Sequence, residues 1–180
     1  MREENRRRID IVSEPGFIAG LESLDLDELR DRREICSDLD IELSYYRRLL
    51  HGRMDLLAFE MRRRAGEETE SIVDALPRIL AEGAYAKGGG PSQRAVPIEA
   101  PELPAKGRRL VDRALDDDYL MRLPSLTDEE LQQTQLFISE VEIEVSQQRR
   151  RVHSTLDLIQ AEVARRYGAD FGSGEPAPNA

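Results

Sequence analysis

Residues 23–64, SLDLDELRDRREICSDLDIELSYYRRLLHGRMDLLAFEMRRR, align without a gap on residues 125–166, SLTDEELQQTQLFISEVEIEVSQQRRRVHSTLDLIQAEVARR, at a constant offset of 102. Such an internal repeat decides the architecture before any single motif does. Each copy has its start written in. Asp25 followed by Glu28, and Thr127 followed by Glu130, have capping-box spacing, with acids in the first turn. Arg62, Arg63 and Arg64, and in the second copy Arg165 and Arg166, are expected in the last turn, where cations suit the helix dipole. Gly66 and Gly168 then read as C-terminal stops. A helix of roughly 40 residues is about 60 Å long.

The apolar period within each copy is seven. Leu29, Cys36, Leu43, Leu50 and Leu57 share one heptad position, with Leu39 and Tyr46 at the companion position. Leu131, Ile138, Val145, Val152 and Ile159 match them in the second copy, with Val141 as companion. This is a coiled-coil seam. Arg32, Arg53, Thr134, Gln148, Thr155 and Glu162 interrupt the companion positions, and polar groups so close to a core need partners. The fold class is therefore all-α: a long antiparallel two-helix coiled coil, folded back within one chain, with a partly helical connector and flexible termini. Pairing of the helices between two chains is the alternative, although a monomer is the expectation.

Composition limits the functions available. With 34% charged residues, 5% aromatic residues and no Trp, the chain suits a narrow seam better than a thick core. A formal net charge of −10 speaks against duplex DNA or an anionic membrane surface as partner. It leaves room for a small anion held by clustered arginines, or for a basic partner protein. The single cysteine, Cys36, makes no internal disulfide, and no zinc spacing is present. No signal peptide is apparent, and no window approaches the ~18 apolar residues that span a bilayer. A cytoplasmic protein is expected.

The organisation expected along the chain is an N-terminal arm (1–22), the first helix (23–66), a connector (67–124), the second helix (125–168) and a tail (169–180). The arm contains Glu14-Pro15-Gly16 and reads as a flexible segment or a short element for partner contact. In the connector, 71–83 reads as a short helix interrupted near Pro77, 86–107 as a Gly/Pro-rich disordered or draped stretch, and 108–121 as helical again. The tail reads as disordered.

The repeat keeps more than its seam. Asp40, Ser44, Arg47, His51 and Asp55 correspond to Glu142, Ser146, Arg149, His153 and Asp157, and these include the only two histidines of the chain. Spacings of 4, 3, 4 and 4 place each set on one face of a helix. The residue types suit a guanine nucleotide. A carboxylate accepts from guanine N1–H and N2–H₂; arginine reaches O6/N7, clamps phosphate or stacks; serine donates to phosphate; imidazole stacks or hydrogen bonds. Two such stripes on antiparallel helices imply a pseudo-two-fold axis, which fits a ligand made of two equal halves. A charged stripe on one helix is ordinarily a solvated face held by i,i+4 pairs. Here neighbours have drifted (Tyr45/Gln147, Gly52/Ser154, Arg53/Thr155) while the stripe kept its chemistry. A metal site could use the His51/Asp55 and His153/Asp157 pairs, but two arginines in the stripe would repel a cation. No nucleophile elbow, P-loop or Rossmann glycine pattern points to an enzyme.

The stripe, acid-x3-Ser-x2-Arg-x3-His-x3-Asp on each of two coiled-coil helices, resembles the motif of the RsiG-type anti-sigma factors of actinomycetes, Glu-x3-Ser-x2-Arg-x3-Gln-x3-Asp. Glu142, Ser146, Arg149 and Asp157 match it in the second copy, and Ser44, Arg47 and Asp55 in the first. His51 and His153 stand where that motif has glutamine, and Asp40 where it has glutamate. The resemblance implies a pair of cyclic-di-GMP molecules bound across the antiparallel coiled coil; no metal is expected beside the stripe's two arginines. It also implies sporulation control by clamping a flagellar/sporulation-type (WhiG-type) sigma factor away from RNA polymerase. A coiled-coil adapter without a small ligand and a metal-binding helical protein are the competing readings.

Overall fold

The computed structural model describes residues 8–85 and 109–172. Its α-helices are α1 (Arg8–Val12), α2 (Pro15–Ile18), α3 (Leu26–Arg64), α4 (Ile72–Tyr85), α5 (Leu110–Ala114), α6 (Tyr119–Arg122) and α7 (Asp128–Gly172), with 3₁₀ turns at Leu21–Ser23 and Leu123–Ser125. There are no strands among the described residues. The long helices α3 and α7 are the two copies of the repeat, and they pack against each other. The Gly/Pro-rich stretch 86–107 and most of the expected tail lie outside the described residues.

Both helix starts form as the capping-box spacing predicts. Asp25 Oδ1 accepts from the Glu28 N–H at 2.7 Å, and Glu28 Oε2 accepts from the Asp25 N–H at 3.0 Å. Thr127 and Glu130 repeat the exchange at 3.2 and 2.8 Å. Each box satisfies two of the backbone donors that a helix start leaves open.

The two helix ends differ. Gly66 takes φ +82°, its N–H donates to the Arg63 carbonyl, and the Glu67 N–H donates to that of Arg62. This pair of bonds is a Schellman stop, and the positive φ is why glycine stands there. Gly168 is no stop. α7 runs through it to Gly172, and Arg165 and Arg166 are not in its last turn. A glycine ends a helix only where φ turns positive; here Tyr167, one residue earlier, is instead held on the helix by Arg30, which donates to its hydroxyl at 2.6 Å.

The contacts fall into two compact units, Met1–Ile41 with Gln147–Ala180 and Glu42–Ser146. In the first, Leu29, Cys36 and Leu39 of α3 are buried together with Val152, Ile159 and Val163 of α7. The direction is antiparallel, since Arg30 near the start of α3 meets Tyr167 near the end of α7. The described part of the N-terminal arm consists of short elements rather than a free strand of chain: Val12, Phe17 and Leu21 are buried. Arg32, which looked like a defect in the seam, donates to the Phe17 carbonyl and lies 5.3 Å from the centroid of its ring. Arg166 donates to the carbonyls of Leu24 and Leu21 at 2.6 and 2.8 Å while Glu162 holds its Nε.

In the second unit, Leu43, Tyr46, Leu50 and Leu57 of α3 are buried with Leu131, Ile138, Val141 and Val145 of α7. The direction is again antiparallel, with Arg64 at the end of α3 bound to Asp128 at the start of α7 at 2.8 Å. The polar seam residue Arg53 seats the connector. It donates to the carbonyls of Ala114 and Asp116 and lies 4.5 Å from the Tyr119 ring centroid, while the Tyr119 hydroxyl donates to the Arg53 carbonyl. That clasp needs the chain to turn between residues 114 and 119. The expected single helix over 108–121 is accordingly broken into α5 and α6. α4 is not interrupted at Pro77, which lies inside it; Ser71 caps the start, accepting from the Asp74 N–H. A proline removes one N–H but does not end a helix that is otherwise held.

Candidate functional site

The stripe residues gather into one polar cluster in each unit. In the first unit the acid is Asp40, on α3. Its Oδ1 takes Arg149 Nε at 3.0 Å and His153 Nε2 at 2.6 Å, both from α7. In the second unit the acid is Glu142, on α7. Its Oε1 takes Arg47 Nε at 3.1 Å and His51 Nε2 at 2.9 Å, both from α3. Ser146 joins this cluster, donating to Glu142 at 2.8 Å and accepting from Arg47 Nε at 3.0 Å.

The arrangement is an exchange: the acid of each copy serves the arginine and histidine of the other. Helical spacing explains why each Arg and His reach one oxygen. They stand four residues apart on a single helix face, and an antiparallel neighbour crosses that face with one carboxylate. Burial pushes the Glu142 carboxyl up, but hydrogen bonds from His51, Ser146 and Arg47, with the charge on His51, outweigh it and hold the group below the usual carboxylate range. The clusters differ in access: the His153 side chain is 44% exposed and that of His51 23%, so solvent or a ligand reaches the first more easily.

Ser44 is half-buried on α3. The two C-terminal acids of the stripe differ from the rest. Asp55 is half-buried and Asp157 exposed, and neither makes a hydrogen bond or ion pair among the described residues. The expected face therefore contains engaged groups and open acceptors side by side. Among the described residues no three side chains of His, Cys, Asp or Glu come together as metal ligands, and each cluster carries a guanidinium where a cation would sit.

One network was not anticipated. Arg109, just before α5, donates to Asp112 at 2.7 Å and to the Tyr46 hydroxyl at 3.0 Å, and pairs with the buried Glu42 at 3.4 Å. Tyr46 was legible as a seam residue, but a partner 63 positions away leaves no periodic signal. Glu60 and Glu162 were also missed as a pair. Each grips the two arginines that follow it by three and four residues, a repeated Glu-x2-Arg-Arg that only needed aligning.

A protein-family model described as RsiG-like matches residues 15–80 and 117–177, which takes in both repeat helices and both clusters. The chain belongs to the RsiG-like family. That family assigns it a regulatory rather than an enzymatic role, as an anti-sigma factor with a sigma factor for its partner. A search of curated proteins returned no match. None of the described helices is long and apolar enough to cross a membrane.

Proposed function

We infer that this RsiG-like chain is a cyclic-di-GMP-binding anti-sigma factor that sequesters a sigma factor of the WhiG/flagellar type in response to the nucleotide. One observation carries the reading: each unit holds an acid, an arginine and a histidine of the duplicated stripe on a shared oxygen. A charged pair is a suitable resting state for a guanine nucleotide site. The ligand brings phosphate and O6/N7 acceptors for arginine, and N1–H and N2–H₂ donors for the carboxylate. Both partners can be satisfied again when the ligand separates them, so neither charge is stranded. Nucleotide binding then biases the packing of α3 on α7, and through it the affinity for the sigma factor.

The test is calorimetric titration of cyclic-di-GMP into the chain, with and without a candidate sigma factor. Binding by the wild type, lost in Arg149→Ala while helical circular dichroism stays near wild type, is the expected result. Unchanged binding in that variant sinks the assignment. The adapter reading has an observation of its own. No buried side-chain nitrogen or oxygen lacks a partner among the described residues, so the fold leaves no buried polar group that needs a ligand to satisfy it. Sigma binding that is indifferent to nucleotide, with no nucleotide heat, would favour it.

A further inference from the structure

Resting on the nucleotide reading, we propose that Arg48 and Arg150, each the immediate neighbour of a stripe arginine, supply the second phosphate-contacting guanidinium in each unit. The stripe is longer than its five residues suggest: both copies read Arg-Arg-x2-His-x3-Asp, as Arg47, Arg48, His51 and Asp55, and as Arg149, Arg150, His153 and Asp157. Arg47 and Arg149 already serve carboxylates through Nε. Arg48 and Arg150 are exposed, and their guanidiniums make no ion pair or hydrogen bond among the described residues.

Geometry puts these open cations beside the site. Within the Glu42–Ser146 unit, Arg48 follows Ser44 by four residues, precedes His51 by three and Asp55 by seven, so all four share one flank of α3. Within the other unit, Arg150 holds the same relation to His153 and Asp157 on α7. Among the described residues the flank thus offers an unpaired guanidinium and, two turns further along, an unpaired carboxylate. They do not neutralise each other, and a guanine nucleotide presents a phosphate and a base edge for the two roles. An open arginine repeated at the same register is notable in a chain of net charge −10, where acids to pair with are plentiful. Arg33 and Arg151 are also exposed and unpaired, but they correspond to Gln135 and Leu49 in the other copy and so lack this recurrence.

A charge-matched comparison tests the idea. Cyclic-di-GMP is titrated calorimetrically into the full chain as wild type, as Arg48→Ala/Arg150→Ala and as Arg33→Ala/Arg151→Ala, each over a salt series. Each double variant removes two positive charges, and neither removes an ion pair among the described residues. The first is expected to weaken binding roughly tenfold or more, as loss of charge-assisted hydrogen bonds does, and to flatten the salt dependence. The second should bind within about twofold of wild type. Equal losses in both variants mean only bulk charge matters, and overturn the proposal. So does wild-type affinity in the Arg48→Ala/Arg150→Ala protein, including the case in which that variant loses sigma-factor binding alone. A wild type that binds no cyclic-di-GMP overturns the nucleotide reading itself, and is told apart by the first titration.

Discussion

Glu142 concentrates the chemistry of its cluster on a single oxygen, which receives Arg47, His51 and Ser146. Its carboxyl is held below the usual range because those donors outweigh burial, and the stability consequence has a definite sign. A depressed folded-state pKa stabilises the fold above the unfolded value, near 4.3 for glutamate, and that contribution is lost as pH falls through the folded value. Glu142→Gln should therefore destabilise the chain by about 1 kcal/mol near pH 7, and the difference from wild type should shrink below about pH 4. Urea denaturation at several pH values checks this, and a difference that is constant down to pH 3 contradicts it. The position of Glu142 on a polar stripe was readable from spacing. Its partners were not. Spacing predicted a carboxylate waiting for guanine, whereas the folded chain gives it a guanidinium and an imidazole of the opposite helix. Asp40 shows the same reversal with Arg149 and His153.

At the scale of elements, the repeat makes equivalent residues that behave differently. Gly66 and Gly168 occupy the same place in the two copies, but only Gly66 has a positive φ. A Cβ at either meets nothing within 4 Å, so the backbone alone decides the outcome. Gly66→Ala should destabilise by about 1–2 kcal/mol, the strain of a left-handed L-residue. Gly168→Ala should stabilise by about 0.5 kcal/mol or more, as helix-interior replacements of glycine do. Thermal melts of the two single variants read the opposite signs, and a shared sign would mean that the two helix ends are not built as described. The seam itself was legible because burial repeats every seven residues. The polar interruptions at Arg32 and Arg53 were legible as anomalies, but not as seats for Phe17 and for residues 114–119. A seat is defined by what arrives there, and the arriving segments are too short to carry a period.

For the whole molecule, ligand and stability are linked. A nucleotide that binds only the folded chain, at free concentrations about a hundredfold above Kd, should add about 2.7 kcal/mol to stability. Thermal unfolding with and without cyclic-di-GMP should show an upward shift in the wild type and none in Arg149→Ala. A melting curve indifferent to the nucleotide would leave the anti-sigma role standing and remove its ligand. What the sequence by itself determined is whatever repeats locally: two capped helices, a heptad seam, and a stripe kept in register. These follow from helix geometry within a few residues and need no knowledge of the partner helix. Only the tertiary structure decided which acid meets which arginine, where the seam's polar residues dock their short elements, and that Arg48 and Arg150 remain open while Arg47 and Arg149 are engaged. Those outcomes depend on how an antiparallel neighbour aligns and on which groups it brings within about 3 Å. The period of a single helix carries no record of that alignment.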